Sequence, residues 1–182
     1  YGTRHVSFAS LPGMKERTIL INGFSKAFAM TGWRVGYAAG HPDLIGAMVK
    51  IHQYTALCAP IMGQVAALEA LKRGFDDRFA AVEHMARQYN MRRRVIVNGL
   101  REIGLDCYEP WGAFYVFPSI KKTGMSSEEF CEKLLMDQKV AVVPGTAFGP
   151  SGEGFIRCSY AYSIENINEA IKRIGNFVSK II

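Results

Sequence analysis

The 182-residue chain has 22 Lys and Arg against 16 Asp and Glu, a formal net charge of +6, and 49% hydrophobic residues. No run of the sequence approaches the roughly 20 apolar residues of a membrane span, and the mild basic charge favours anionic small molecules over nucleic acid as partners. The four cysteines and four histidines lack metal-ligand spacing. We therefore predict no membrane segment, no nucleic-acid partner, no metal site, and reduced thiols in a cytoplasmic protein.

The first part of the chain combines short apolar runs with helical patterns. The apolar runs over 18–21 and 35–39 are typical of buried strands in a parallel sheet. Pro42 fits the first position of a helix. A second helix is predicted over 61–73, and Gly74 is expected to end it.

A longer helix follows. Apolar residues that recur at helical spacing predict it from about residue 76 to residue 103, closed by Gly104. A helix of this length can connect two domains. We place the domain boundary inside it, so that the predicted domains cover residues 1–88 and 89–182.

Beyond Gly104 the pattern changes to that of a smaller α+β domain. Ser126 and Glu129 fit a capping box that opens a helix reaching about Gln138. The other predicted elements are strands over 113–117, 140–143 and 155–159 and a closing amphipathic helix over 164–181. The predicted fold class is α/β: part of a larger domain with parallel-sheet strands and helices, followed by this small α+β domain.

One run carries most of the chemical information. Ser25 to Tyr37 reads SKAFAMTGWRVGY and places Lys26 in a loop, with Arg34 eight residues later. A lysine amine can bond to an aldehyde cofactor, and the fork of an arginine is suited to a phosphate dianion. Pyridoxal phosphate (PLP) needs both groups. An isolated loop lysine is normally just solvated, but this run resembles the lysine signature of the class I/II aminotransferases, which are fold-type-I PLP enzymes.

The resemblance assigns roles to the residues of this run. It implies that Lys26 bonds to PLP and later moves the substrate proton, and that Arg34 holds the phosphate. Ser25 either donates to the phosphate or caps the turn. Many family members carry a serine three residues before the lysine, where this chain has Gly23, so one phosphate donor of that pattern is missing here.

A second arginine lies within the apolar strand predicted over 155–159. A charge in such a setting usually has a partner, which for Arg157 is either a nearby acid or an anionic ligand. The run from Gly154 to Tyr160, GFIRCSY, resembles the family's arginine pattern. That resemblance implies that Arg157 binds the α-carboxylate of the substrate through a bidentate contact. Strand alternation places Phe155 on the same face as Arg157.

The resemblance extends from about residue 1 to the last residue, and family members carry the lysine motif past their middle. We therefore expect the chain to be the C-terminal half of an aminotransferase of the aspartate, aromatic or N-acetyl-LL-diaminopimelate type, without a leader peptide. The implied reaction is transamination between an L-amino acid and a 2-oxo acid by a homodimer. The family's ring-nitrogen aspartate, phenolic-oxygen tyrosine and stacking aromatic would lie outside this sequence.

Two alternatives stay open. A PLP-dependent C–S β-lyase, or another fold-type-I enzyme, would share the lysine and both arginines. The 182-residue chain could also be a catalytically silent fragment or a dimerisation unit. Two softer signals come from the resemblance: the segment 54–58 would reach the neighbouring subunit's active site, and the loop 143–149 would lie near the substrate entrance.

Overall fold

The computed structural model describes residues 1–182 and combines helices with short strands. The strands are β1 (Leu20–Gly23), β2 (Gly36–Ala39), β3 (Tyr115–Val116), β4 (Val143–Pro144) and β5 (Ile156–Ser159), and the helices are α1 (Pro42–Thr55), α2 (Ile61–Asp77), α3 (Ala80–Glu102), α4 (Ser127–Gln138) and α5 (Ile164–Val178). None of these helices is both long enough and apolar enough to cross a lipid bilayer. The mixed architecture agrees with the predicted class.

The chain divides into two compact units. The first unit is Thr3–His84, and the second unit is Met85–Ile182 together with Tyr1–Gly2. The division falls a few residues before the boundary predicted after residue 88, in the same helix. The assignment of these units to a cofactor-binding and a small C-terminal domain stays a prediction.

In the first unit, β1 and β2 form an antiparallel pair, so the predicted parallel arrangement of these two strands is wrong. Leu20 lies opposite Ala39, and Gly23 lies opposite Gly36. A parallel pair requires a crossover connection of about a dozen residues or more that returns to the starting end of the sheet, whereas the loop 24–35 turns the chain straight back. Both strands are also largely exposed rather than buried.

Helices α1 and α2 begin where the sequence predicted, but α2 ends later than predicted. Helix α1 begins at Pro42, but α2 continues through Gly74 to Asp77. Gly74 is buried against the ring of Phe79, so it serves close packing and does not end the helix. Arg78 and Phe79 instead adopt left-handed conformations, with φ of 57° and 58°, and they separate α2 from α3. The predicted helix over 76–103 is therefore α3, which begins only at Ala80.

The second unit is built on a three-stranded sheet in the order β3-β5-β4, with both pairs antiparallel. Along β5 the side chains of Ile156 and Cys158 are buried, and those of Arg157 and Ser159 are half-buried. Helices α3, α4 and α5 contribute most of the remaining core. Its fully or almost fully buried members are Val97, Leu100, Leu105, Val116, Ile120, Phe130, Leu134, Ile156, Tyr160, Ile167, Ile174 and Val178.

Local signals located the elements of the second unit well. The Ser126 hydroxyl accepts a hydrogen bond from the Glu129 N–H at 3.2 Å, as the predicted capping box requires. Helix α5 begins at Ile164 as predicted, after a Ser163 cap. Strands β3 and β4 are only two residues long. The strand predicted over 140–143 was misplaced, because β4 shares only Val143 with it.

Candidate functional site

The loop between β1 and β2 presents Lys26 at the surface. Its first part is a tight turn, in which the Phe28 N–H donates to the Phe24 carbonyl at 3.3 Å and the Ala29 N–H donates to the Lys26 carbonyl at 3.2 Å. Phe24 is buried, and its ring lies 5.2 Å from that of Phe28. The two rings therefore anchor the turn in the core of the first unit, while the Lys26 side chain is exposed.

Arg34 lies at the other end of the same loop. It adopts a left-handed conformation, with φ of 54°, directly after the short 3-10 helix Thr31–Trp33. One Nη donates to the Thr31 carbonyl at 3.1 Å, and the side chain is exposed and makes no ion pair. A guanidinium has five N–H donors, so most of this fork remains available to an anion.

Ser25 shares this loop with Lys26 and Arg34. Its side chain is half-buried, and its hydroxyl makes no hydrogen bond within the protein. The structure therefore gives no support to a turn-capping role for Ser25. The other alternative, in which the Ser25 hydroxyl donates to the cofactor phosphate, stays a prediction.

A glycine that the sequence reading did not single out fixes the position of Arg34. A Cβ built on Gly63, in the first turn of α2, would lie 2.5 Å from a methyl of Val35 and 2.7 Å from the Trp33 carbonyl oxygen. Only a residue without a side chain allows the helix to approach this closely. The first turn of α2 therefore packs against the Trp33 carbonyl and the Val35 side chain, which flank Arg34. The only sequence signal was a glycine inside a predicted helix.

Arg157 lies in the second unit, on β5. Its guanidinium carbon is 4.4 Å from the ring centroid of Tyr115 and 4.7 Å from that of Phe148. It forms no ion pair and no side-chain hydrogen bond, and its neighbours Ile156 and Cys158 are buried on the opposite face of the strand. The alternative of an internal salt bridge is therefore not supported. The predicted alternation of the strand is confirmed.

The loop that carries Phe148 is fixed by backbone packing. The Gly145 N–H donates to the Phe155 carbonyl at 2.8 Å, and the backbones of Gly145 and Gly152 are in direct contact. Ser127, which is fully buried, accepts hydrogen bonds from the N–H groups of Gly154 at 2.9 Å and Phe155 at 3.3 Å. The sequence reading missed Ser127, because its partners are more than twenty residues away along the chain.

A cavity of about 470 Å³ opens within the second unit next to Arg157. Most of its wall is apolar and comes from α3, α5 and the segment before β4. The polar groups that line it include Arg157, Ser159, Tyr162, Asn166 and Arg173. Of the two arginines that line the cavity, Arg173 forms an ion pair with Glu169 at 2.8 Å. Arg157 has no acidic partner.

Comparison with known proteins identifies the family. The family model described as aminotransferase class I and II matches residues 2–174. The chain belongs to this family. Among aminotransferase relatives, it is 60% identical over 180 residues to the putative aminotransferase YugH of Bacillus subtilis (strain 168), covering 99% of this chain and 46% of that protein. It is 51% identical over 172 residues to an aspartate aminotransferase of Pyrococcus abyssi, covering 94% and 43% respectively.

Solved aminotransferase structures share the fold. The crystal structure of an aromatic aminotransferase from Pyrococcus horikoshii OT3 superposes with a TM-score of 0.93 at 48% identity, covering 99% of this chain and 48% of that one. The predicted family and the predicted α/β class are thereby confirmed. The chain spans less than half the length of these relatives.

Membership in this family implies PLP as the cofactor, and the donors of the β1–β2 loop fit such a group. Lys26 offers an exposed amine, Arg34 offers unused guanidinium donors, and Ser25 offers a hydroxyl without a protein partner. An amine for the aldehyde and a cation for the phosphate are the two groups that this cofactor requires. The assignment of these individual residues to PLP stays a prediction.

Proposed function

We propose that this sequence forms part of a PLP-dependent aminotransferase that transfers an amino group between an L-amino acid and a 2-oxo acid. The observation that carries the proposal is the β1–β2 loop. It presents the Lys26 amine and the Arg34 guanidinium on one short, anchored segment. Family membership and relatives that are named as aspartate and aromatic aminotransferases support it.

Lys26 has two roles in this proposal. Its Nζ would hold PLP through the aldehyde group of the cofactor, and the same amine, when free, would move the proton of the substrate Cα. The bound cofactor supplies an electron sink for that proton removal. The anchored turn from Phe24 to Ala29 holds the Lys26 backbone in place, which limits where its amine can reach, and orientation supplies much of the rate.

The two arginines are proposed to bind different anions. Arg34 holds the cofactor phosphate, assisted by the Ser25 hydroxyl, and Arg157 binds the α-carboxylate of amino and 2-oxo acids. A charge-assisted contact contributes about 1.5–3 kcal/mol, so the loss of either arginine should weaken binding of its anion by about ten- to a hundredfold. Arg34→Ala should mainly lower PLP affinity, whereas Arg157→Ala should mainly raise KM for both substrates.

The proposal includes a cytoplasmic homodimer. Large apolar side chains of the first unit are strongly exposed, including Tyr54 at 87%, Leu57 at 76% and Phe75 at 74%. Exposed apolar area of this kind supports burial against further protein. All four cysteines are unbridged, which fits a reducing compartment.

The decisive experiment traps the lysine. Borohydride reduction of the whole enzyme in the presence of PLP, followed by peptide mapping, should label Lys26. Lys26→Ala should lose the label and nearly all turnover. Lys50→Ala, which removes an exposed lysine of α1 in the same unit, is the control and should retain both. A label on any lysine other than Lys26 would refute the assignment.

Product analysis separates the alternatives. Transamination yields a new 2-oxo acid together with the amino form of the acceptor, whereas a C–S β-lyase yields a thiol, ammonia and pyruvate. The 182-residue chain alone, mixed with PLP, an amino acid and 2-oxoglutarate, should show no turnover, because groups that orient the cofactor in this family would lie outside it. Turnover near that of a full-length relative would contradict this account.

A further inference from the structure

Arg157 is held in an unusual way for a half-buried cation. Guanidinium groups away from full solvent normally donate to carboxylates or carbonyls, as buried Arg93 does here toward Glu109 and Asn90. Arg157 has neither kind of acceptor. Its protein contacts at the charged end are two aromatic rings, Tyr115 and Phe148.

We propose that Tyr115 and Phe148 are positioning residues, which hold the Arg157 guanidinium by cation–π contact so that its N–H donors face a substrate carboxylate. The inference rests on the proposed function, because it assumes that Arg157 binds that carboxylate. An aromatic ring attracts the cation through its π face. It leaves the N–H donors in the plane of the guanidinium available for hydrogen bonds. An acidic partner would occupy those donors and would repel a carboxylate ligand.

The fold brings the two rings to Arg157 from separate elements. On β3, Tyr115 lies opposite Ser159, which makes it the diagonal neighbour of Arg157 on the same face of the sheet, within reach of a long side chain. Phe148 comes from the 3-10 helix Gly145–Phe148. The two rings make no ring contact with each other, so each contacts the guanidinium separately.

Phe148 is itself braced. Its ring contacts that of Phe117 edge-on at a centroid distance of 5.9 Å, and its loop is seated by the contact between the Gly145 and Gly152 backbones. The Phe148 side chain is nevertheless 52% exposed. A half-exposed ring that is fixed at its base can orient Arg157 and still leave the approach to its donors open.

The test measures substrate affinity and cofactor affinity in the whole enzyme. Tyr115→Leu and Phe148→Leu should each raise KM for the amino acid and the 2-oxo acid by about three- to tenfold, with PLP affinity unchanged. The conservative Tyr115→Phe and Phe148→Tyr variants should restore a KM near that of the unsubstituted enzyme. This rescue by a ring separates positioning from simple loss of packing.

A matched control is available in the same unit. Tyr89 also carries an arginine on its ring, with the Arg92 guanidinium carbon 5.4 Å from the centroid, and it does not contact Arg157. Tyr89→Leu should lose about as much thermal stability as Tyr115→Leu and Phe148→Leu, but it should leave KM unchanged. If Arg157→Ala itself leaves KM unchanged, the carboxylate role in the proposed function is wrong. If Arg157→Ala raises KM but neither leucine variant does, or Tyr89→Leu raises it equally, the positioning role is wrong.

Discussion

Replacement of Ser127 by alanine tests how the second unit is held together. The Ser127 hydroxyl is fully buried and accepts from the N–H groups of Gly154 and Phe155 at 2.9 Å and 3.3 Å. Both N–H groups keep a second acceptor, Glu153 and Gly152 respectively, so neither is left fully unsatisfied. With about 1 kcal/mol for each net hydrogen bond, the expected loss of stability is about 2 kcal/mol.

Ser126→Ala is the matched control, because it removes the neighbouring and exposed cap of the same helix. Loss of that cap should cost about 1 kcal/mol. For a unit of this size, Ser127→Ala should lower Tm by about 10 °C and Ser126→Ala by about 5 °C. Hydrogen exchange of the α3 amides around Leu100, measured in increasing urea, reports the second unit alone. If Ser127→Ala destabilised this unit no more than Ser126→Ala, the buried network would not have the assigned role.

Two further substitutions and one pH effect are expected. Gly63→Ala should weaken PLP binding and destabilise the first unit by about 1–2 kcal/mol, because the added Cβ would overlap the segment around Arg34. In the control Gly46→Ala, the added Cβ meets nothing within 4 Å in α1, so this variant should stabilise the first unit by up to about 1 kcal/mol. PLP titration and thermal unfolding of both variants measure the difference. Burial raises the pKa of Cys107 to about 11 and that of Cys158 to about 12. As pH rises, these thiols therefore lose their protons in the unfolded chain before they do so in the folded chain. The free energy of unfolding should then fall as pH rises above about 9. Cys158→Ala should flatten that fall in urea denaturation, and an unchanged slope would contradict the assignment.

The features that the sequence predicted well depend on neighbouring residues. The Ser126 cap, the start of α1 at Pro42 and the alternation along β5 follow from local backbone geometry. The Lys26 and Arg34 loop was recognisable for the same reason, because both residues belong to one short run.

The features that it predicted poorly depend on packing that a residue pattern does not show. Gly74 looked like a helix end, but α2 continues to Asp77, and Gly74 instead packs against the ring of Phe79. The antiparallel pairing of β1 and β2 depends on the course of the loop between them, which apolar runs do not encode. The aromatic partners of Arg157 come from other elements, so the sequence offered only an acid or a ligand as its neighbour.

The packing of Tyr1 has a consequence for the order of folding. Its hydroxyl donates to the Ala113 carbonyl at 2.5 Å, across 112 residues of sequence, and its ring lies against Arg93 at 5.1 Å. This contact closes a loop that contains the whole first unit, whereas most of the second unit is continuous in sequence. Contacts of such long range form late, because loop closure must precede them. We therefore expect the Tyr1 contacts to slow the unfolding of the second unit and to have little influence on how fast that unit folds.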